Sequence, residues 1–474
     1  MTNALTGIGE AAKSRTPLVV LAGDVPTGAV KNNFYIEQAD MVRAVGAVPE
    51  RLHTPGTARE DALRAVSRAL RERQTVVLSL PLDVQHAPLS NLPPLELPPS
   101  GGRLHPDPRA VSGLAEALLH AQRPLILGGR GAVISDAEAT LIALAEHTGA
   151  LLATSVCGHG LFSGNPWSLG ISGGFSSPIA DELIADSDCI VAFGASLTAW
   201  TTKRGQLIAP GAVVAQVDVE AGKIGYQTPV QIAVHGDAQA TAEALLAELD
   251  QRGAKLRPNR RTDAMRERIR GGDNHHYPHP DESSRDFIDP RTLSKAVDAI
   301  LPTDRVVASD SGHFCGWVPR YLRVPNARAS CLSHSFQSVG LGLPSVIGLA
   351  VANPGKLAVL GTGDGGFLMS MADLETALRL KLRLCILVYN DASYAAEVHY
   401  FRRQGYSVDI VQFPQTDFAA IAHGFGARGV TVRTLADLDP LKAWVAEGAP
   451  GVFVIDGKIN PDLEADWHAE HFPN

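Results

Sequence analysis

The sequence predicts an α/β fold with three doubly wound, mostly parallel sheets, of which the first is incomplete. Apolar runs bounded by Gly, Pro or Asp alternate with helical patterns along most of the chain. Such alternation is typical of a parallel sheet with helices on both faces. A length of 474 residues suggests roughly three domains, and two stretches of low apolar content divide the chain into three blocks.

The first block, residues 1–90, lacks part of an ordinary doubly wound domain. It opens directly on a helix and offers two convincing strands, Leu18–Ala22 and Thr75–Leu80, with a helix over Thr57–Arg73 before the second. A complete sheet of this type usually carries about five or six strands. We therefore expect a domain without its first half, followed by a linker rich in Pro and Gly over residues 91–108.

The second and third blocks each have the strands of a full domain. Residues 109–250 form the predicted central domain, and a charged linker over 251–286 leads to the last domain, 287–474. The central domain has predicted strands at Pro124–Leu127, Leu151–Thr154, Cys189–Phe193 and Val213–Val217, and the last domain at Arg305–Ala308, Leu357–Leu360, Leu384–Tyr389 and Gly451–Ile455.

Composition and charge exclude several classes of protein. Apolar residues make up 45% and charged residues 19%, which is typical of a globular enzyme and excludes wholesale disorder. A net charge of −8 leaves no basic surplus for nucleic acid. No apolar run reaches the roughly 18 residues of a membrane span. The five cysteines contain no CxxC pair, and the N-terminus lacks a signal-peptide pattern, so we expect a cytoplasmic protein without disulfides or structural zinc.

The segment that points to chemistry lies in the last block. A buried strand ends at Gly363-Asp364-Gly365-Gly366, a helix is predicted over Met371–Leu380, and a second buried strand ends at Asn390-Asp391. Twenty-four residues stand between Gly365 and Asn390, enough for one crossover between parallel strands. Because the carboxyl ends of parallel strands meet at one edge of a sheet, we expect the two acidic segments to lie side by side.

This arrangement suits a diphosphate held through Mg²⁺, which prefers oxygen ligands. Asp364 and Asp391 supply carboxylates, and the backbone carbonyl of Ser393 is a third candidate ligand. The three glycines let the backbone approach phosphate oxygens. The alternative is an ordinary glycine-rich turn with acidic residues for solubility. The spacing between the two segments, and their positions at strand ends, favour the diphosphate site.

GDG followed at this distance by Asn resembles the diphosphate motif of thiamine-diphosphate enzymes. The wider chain resembles their acetolactate synthase and 2-oxo acid decarboxylase branch, including the segments LVVLAGDVPTG and SFQSVGLGLPSVIGLA. The resemblance covers essentially all of the chain. It implies thiamine diphosphate and Mg²⁺ as cofactors, decarboxylation of a small 2-oxo acid with or without carboligation, and a homodimer or homotetramer.

The resemblance also assigns roles to individual residues. Val339 stands where the family places an apolar residue under the cofactor, and the carbonyl of Gln337 would face the aminopyrimidine. His313 belongs to a strand-end segment that reaches the phosphates and substrate, and Glu397 resembles a catalytic glutamate of the decarboxylases. For Val339 core packing, and for Glu397 a solvated helix position, remain open alternatives. The other expected cofactor contacts are Gly363, Asp364, Gly365, Gly366, Asn390 and Tyr394.

Two further sites are less well supported by the sequence. Acetolactate synthases usually hold FAD in the central domain, but the stretch FGASLTAWTTKRGQ lacks the expected charged cluster. Gly128-Gly129-Arg130-Gly131 is not a proper GxGxxG, so bound FAD stays an open alternative. His275, His276 and His279 lie in a polar linker, where a solvated loop is favoured over a metal site.

By this resemblance, the first block lacks the glutamate that activates the cofactor in the family. That residue would precede the first helix, so we expect an N-terminal truncation, caused by a misplaced gene start or by a naturally short protein. The alternative function is therefore a catalytically impaired cofactor-binding protein or subunit.

Overall fold

The computed structural model describes residues 1–88, 97, 101–253 and 260–472. Parts of both predicted linkers, 91–108 and 251–286, lie outside the described residues. The chain divides into two compact units, Met1–Gly102 with Ser333–Ser338, and Arg103–Leu332 with Val339–Asn474. The first unit contains one sheet and the second contains two, so the predicted α/β class with three parallel sheets is confirmed.

The sheet of the first unit has three strands in the order β1-β3-β2, all parallel. Its elements are α1 (Leu5–Lys13), β1 (Leu18–Asp24), α2 (Gln38–Ala44), β2 (Val48–Arg51), α3 (Ala58–Arg71), β3 (Thr75–Pro81) and α4 (Leu82–Gln85). The sequence predicted β1 and β3 but missed β2. That strand is four residues long and contains Pro49, Glu50 and Arg51, so it carries neither an apolar run nor an alternating pattern.

The first sheet of the second unit has six parallel strands in the order β6-β5-β4-β7-β8-β9. The strand order reverses at β4, as in doubly wound folds. The elements are α5 (Pro108–His120), β4 (Pro124–Gly128), α6 (Arg130–Ile134), α7 (Glu138–Thr148), β5 (Leu151–Thr154), β6 (Ser168–Ile171), α8 (Pro178–Ala185), β7 (Cys189–Phe193), β8 (Val213–Asp218), β9 (Ile232–His235), α9 (Ala238–Gln251) and α10 (Asp263–Gly272).

The other sheet of this unit also has six parallel strands, in the order β11-β10-β12-β13-β15-β14. The elements are α11 (Pro290–Ile300), β10 (Arg305–Ser309), α12 (Trp317–Tyr321), β11 (Ser330–Leu332), α13 (Gly342–Ala352), β12 (Leu357–Gly363), α14 (Asp364–Ser370), α15 (Leu374–Arg379), β13 (Leu384–Asn390), α16 (Ala395–Arg403), α17 (Phe418–Phe425), β14 (Arg428–Val432), α18 (Asp439–Ala446), β15 (Val452–Lys458) and α19 (Asp466–His471). The four central strands are buried at every position.

The helices that open these two six-stranded regions begin on the same local signal, Asp followed by Pro. The Asp107 side chain accepts a hydrogen bond from the amide of Arg109 at 2.7 Å, and Pro108 is the first helical residue. Asp289 and Pro290 do the same at the start of α11. An Asp cap satisfies an amide that the helix leaves free, and Pro loses no hydrogen bond at the first position.

One predicted helix differs from the structure in a way that affects the site. The sequence predicted a helix over Met371–Leu380, whereas α14 begins at Asp364, directly after β12. Gly365 and Gly366 in its first turn hid this helix, because glycine within a helix lowers the helix propensity.

Among the described residues, no helix has the length and apolar character needed to cross a membrane.

Candidate functional site

The two acidic segments lie together at the carboxyl edge of the last sheet, as the strand pattern predicted. Strands β12 and β13 pair in parallel with Gly363 opposite Tyr389, so both strands end at one level. The carboxylate of Asp364 accepts a hydrogen bond from the amide of Ala392 at 2.6 Å. This contact joins the first turn of α14 directly to the loop after β13.

Each glycine of the motif stands where a side chain would collide with a neighbouring group. A Cβ on Gly363 would lie 3.0 Å from the Phe314 ring, and a Cβ on Gly365 would lie 2.4 Å from the Tyr394 ring. A Cβ on Gly366 would lie 2.5 Å from the carboxylate of Asp310. The glycines therefore let an aromatic ring or a carboxylate pack directly on the backbone at this edge.

Asp364 is buried and Asp391 is half-buried, and their carboxyl groups interact electrostatically. Burial raises the pKa of Asp364 to about 7. Burial and the neighbouring charge of Asp364 raise the pKa of Asp391 well above its usual range. Two carboxylates cannot both ionise close together in a buried site unless a cation compensates them. The electrostatics of the pair thus fit a bound divalent cation.

The loop after β13 is shaped by short-range contacts of Asp391. Its Oδ1 accepts hydrogen bonds from the amide of Ser393 at 3.1 Å and from the Ser393 hydroxyl at 2.9 Å. Ala392 takes a positive φ of 59°, a strained conformation for a residue with a side chain that is often found at functional sites. The surrounding hydrogen bonds hold it there.

The available ligands are oxygen atoms, which suit Mg²⁺. Within the described ranges, no group of three or more His, Cys, Asp or Glu side chains is placed to hold a metal. The predicted set is of another kind, because it combines two carboxylates with a backbone carbonyl. Mg²⁺ commonly binds one or two carboxylates and takes its other ligands from phosphates and water.

Asn390 is fully buried and its amide points toward β15. Its Nδ2 donates to Asp456 Oδ1 at 2.8 Å and to the Thr416 carbonyl at 3.0 Å. Lys458 forms an ion pair with Asp456 at 2.9 Å. These contacts tie the end of β13 to β15, so Asn390 has a structural task in addition to the cofactor contact predicted for it.

Asp310 is a site residue that the sequence analysis missed. It follows β10 and is fully buried, and it accepts hydrogen bonds from the amides of Ser311 at 2.8 Å and Gly340 at 3.1 Å, and from the Thr362 hydroxyl at 3.2 Å. Burial raises its pKa against these hydrogen bonds. The strand-end rule that identified Asp364 would also have identified Asp310.

The other predicted site residues differ in their burial and in the unit to which they belong. Val339 is partly exposed, and its Cγ1 would lie 3.2 Å from a Cβ on Gly366, so it borders the motif. Gln337 belongs to the first unit and has a positive φ of 59°. His313 is buried, and Glu397 is exposed in the first turn of α16.

Two family models match regions that contain the first six-stranded sheet and most of the second. Residues 111–245 match the central domain of thiamine pyrophosphate enzymes, and residues 310–456 match their C-terminal TPP-binding domain. Together the matches cover more than half of the chain, and the second includes the whole Asp364–Ser393 region. The chain belongs to the thiamine pyrophosphate enzyme family.

Curated relatives of this thiamine pyrophosphate enzyme match along almost its whole length. A sulfoacetaldehyde acetyltransferase from Castellaniella defragrans is 26% identical, covering 93% of this chain and 77% of the relative. A probable acetolactate synthase large subunit from Methanocaldococcus jannaschii is 25% identical over 97% of this chain and 80% of the relative. A catabolic acetolactate synthase from Raoultella terrigena is 28% identical, with coverages of 98% and 84%.

In this thiamine pyrophosphate enzyme, the glycine-rich turn after β4 packs against the backbone of the loop after β7. A Cβ on Gly129 would lie 2.2 Å from the Gly194 carbonyl oxygen, and one on Gly131 would lie 2.6 Å from the Gly194 Cα. This close approach of two loops explains the glycines without a nucleotide.

The three linker histidines contact different groups. His275 lies 3.8 Å from Asp298, His276 bonds Asp273, and His279 contacts Thr292. Each histidine therefore has its own partner.

Proposed function

We propose that this protein is a thiamine-diphosphate- and Mg²⁺-dependent enzyme of the acetolactate synthase type. It would decarboxylate a small 2-oxo acid and either release the aldehyde or join the remaining unit to a second carbonyl compound. The observation that carries the proposal is that Asp364 and Asp391 follow two adjacent parallel strands, with the Asp364 carboxylate bonded to the loop that carries Asp391. The family membership and the acetolactate synthase relatives support it.

In this proposal the carboxylates of Asp364 and Asp391 and the carbonyl of Ser393 would hold Mg²⁺, and the ion would offset the charge of the diphosphate. The backbone at Gly363, Gly365 and Gly366 approaches the phosphate oxygens. Tyr394 is proposed to line the cofactor pocket, because its ring packs on Gly365 of the glycine-rich motif. Asn390 contributes by holding the end of β13 in place.

Val339 would support the cofactor rings and Gln337 would offer its carbonyl to the aminopyrimidine. Thiamine diphosphate supplies an electron sink for the carbon that loses CO₂, and the protein supplies orientation and exclusion of water. His313 and Glu397 are the proposed catalytic side chains. Glu397 is exposed in this chain and stands at the start of α16, two residues after the helix begins, where it would exchange a proton with the substrate.

The similarity to sulfoacetaldehyde acetyltransferases favours a second candidate, an acetyl transfer that uses sulfoacetaldehyde. The two candidates share the same cofactor site and differ in the substrate consumed.

The test is to incubate the full chain with thiamine diphosphate and Mg²⁺ and a panel of 2-oxo acids that includes pyruvate. We expect CO₂ release together with an aldehyde or a hydroxyketone product, and loss of both when Mg²⁺ is removed by a chelator. Consumption of sulfoacetaldehyde in the absence of a 2-oxo acid would favour the second candidate. Turnover that is the same without thiamine diphosphate would contradict both.

A further inference from the structure

A short C-terminal segment, Glu464–His468, holds His313 from two sides. The amide of Ala465 donates to His313 Nε2 at 2.9 Å, and the indole of Trp467 donates to the His313 carbonyl at 3.1 Å. Ala465 and Trp467 are both buried. His313 follows β10 by a short loop and stands more than 150 positions from this segment in sequence.

The segment itself is firmly anchored. Nη1 of Arg320 donates to both carboxylate oxygens of Asp466 at 2.9 and 2.8 Å, and the guanidinium stacks over the Trp467 ring at 4.7 Å. Arg403 forms an ion pair with Glu464, which also bonds His468 at 2.8 Å. The Ala465 amide is thus fixed in its direction toward His313.

This contact determines which ring nitrogen of His313 carries the proton. A backbone amide can only donate, so Nε2 must accept and cannot be protonated. Burial, followed by the nearby His399 and His468 rings, holds the pKa of His313 well below its usual range. His313 is therefore neutral, with its single proton on Nδ1.

The protonated nitrogen, Nδ1 of His313, donates no hydrogen bond to any other described residue. Among the described residues, neither Nδ1 of His313 nor Nε2 of His399 has a hydrogen-bond partner, although both atoms are buried. The two rings are 4.8 Å apart. Burial lowers the pKa of His399 to about 4. An unsatisfied buried donor is costly and calls for an explanation such as a bound ligand atom.

The chain segments that carry His313 and His399 adjoin the proposed active site. Phe314, the next residue, packs on Gly363 at the start of the motif, and His399 lies on α16, which follows the Asp391–Ser393 loop. Both histidines therefore stand on segments that leave the carboxyl edge of the sheet.

We propose that the C-terminal segment fixes His313 as a neutral Nδ1–H donor, which hydrogen-bonds the 2-oxo oxygen of the substrate. This inference rests on the function proposed above. A neutral donor polarises a carbonyl without giving up its proton, as fixed neutral histidines do in other enzymes. Ala465 is then a positioning residue, and His313 is the residue that touches the substrate.

The first test is the tautomer itself, measured by nuclear magnetic resonance of the full chain labelled with ¹⁵N-histidine, with the His313 signal assigned from the His313→Gln variant. We expect the Nδ1–H tautomer at neutral pH. Ala465→Pro removes the amide donor at a φ of −70° that suits proline, and its ring carbon also displaces His313 Nε2 from the position of the lost hydrogen bond. The proline variant should lose the fixed tautomer, and Ala465→Gly, which keeps the amide, should retain it. A wild-type Nε2–H tautomer or an imidazolium would overturn the inference.

The second test is kinetic. Asn can place an amide N–H near the position of Nδ1, whereas Gln places one nearer to Nε2. We expect His313→Gln and Ala465→Pro to lower kcat for the 2-oxo acid on the order of 10²-fold, the usual effect of losing one such donor. His313→Asn should recover most of the loss, and the Kd for thiamine diphosphate should stay unchanged in all three.

The outcomes separate the two proposals. A confirmed tautomer with unchanged kcat in Ala465→Pro would mean that Nδ1 binds only a water molecule, which overturns the substrate contact. A wild-type chain that neither binds thiamine diphosphate nor turns over a 2-oxo acid would overturn the proposed function, whatever the tautomer of His313.

Discussion

Replacing Gly365 with Ala should force the Tyr394 ring away from the start of α14. The added Cβ would lie 2.4 Å from Tyr394 Cε1 and 2.8 Å from Cδ1, whereas carbon atoms in comfortable contact are about 3.5–4.0 Å apart. The ring must therefore retreat by about 1 Å. Its position is restrained, because it packs edge-to-face on Phe413 at 5.5 Å and the Tyr394 amide bonds the Val411 carbonyl at 2.9 Å.

Overpacking of this kind usually costs about 1–3 kcal/mol, and Ala returns up to about 1 kcal/mol through its better helix propensity. We expect a net loss of about 1–2 kcal/mol, read as a lower urea midpoint. Gly348→Ala is the matched control, because this glycine lies inside α13 and its Cβ would meet nothing within 4 Å. The control should gain about 0.5–1 kcal/mol.

A double-mutant cycle with Tyr394→Ala locates the effect. If the ring causes the loss, removing it should make Gly365→Ala nearly harmless, with a coupling energy of about 1–2 kcal/mol. A Gly365→Ala variant as stable as Gly348→Ala, or simple additivity of Gly365→Ala and Tyr394→Ala, would show that the Tyr394 ring does not cause the loss.

Three further predictions concern acid stability, the proposed acid–base residue and assembly. Burial alone would raise the pKa of Asp61, but hydrogen bonds from the His53 amide and the Arg64 guanidinium outweigh burial and hold this pKa at about 2. The ionised Asp61 therefore stabilises the first unit by about 1–2 kcal/mol, and this contribution is fully present above about pH 4. It is lost as the pH falls toward 2. The difference in urea midpoint between Asp61→Asn and wild type should therefore shrink below pH 4 and vanish only as the pH reaches about 2, and a constant difference would contradict the assignment. Glu397→Gln should lower turnover by about 10²–10⁴-fold and leave the Kd for thiamine diphosphate unchanged. The control variant Glu375→Gln on α15 should match wild type. Unaltered turnover in Glu397→Gln would make Glu397 an ordinary surface residue. Light scattering should report a homodimer or homotetramer, and a monomer at micromolar concentration would refute that expectation.

The central strands of the fold could be predicted from the sequence, because their burial makes them continuous apolar runs. Strands β12 and β13 are examples, and their adjacency followed from the crossover length between them. The missed strands are short and lie away from the sheet centres. β11 has only three residues and β14 begins with Arg428 and Gly429, so neither presents a clear apolar pattern.

Contacts between distant segments could not be predicted in the same way. The Ala465–His313 hydrogen bond joins residues 152 positions apart through a backbone amide, which carries no sequence signature. The packing of Tyr394 on Gly365 likewise depends on a side-chain direction that only the folded loop determines. Asp310 is the opposite case, because an acidic residue directly after a buried strand was visible in the sequence.

The most direct test of the proposed cofactor site is a calorimetric titration of the full chain with thiamine diphosphate, with and without Mg²⁺. We expect binding that requires Mg²⁺ and is abolished in Asp364→Ala. Asp437→Ala removes another carboxylate that accepts backbone amides at a helix start, and it should bind like wild type. Equal affinity with and without Mg²⁺, or an unchanged Kd in Asp364→Ala, would contradict the claim that Asp364 and Asp391 hold the cofactor through a metal ion.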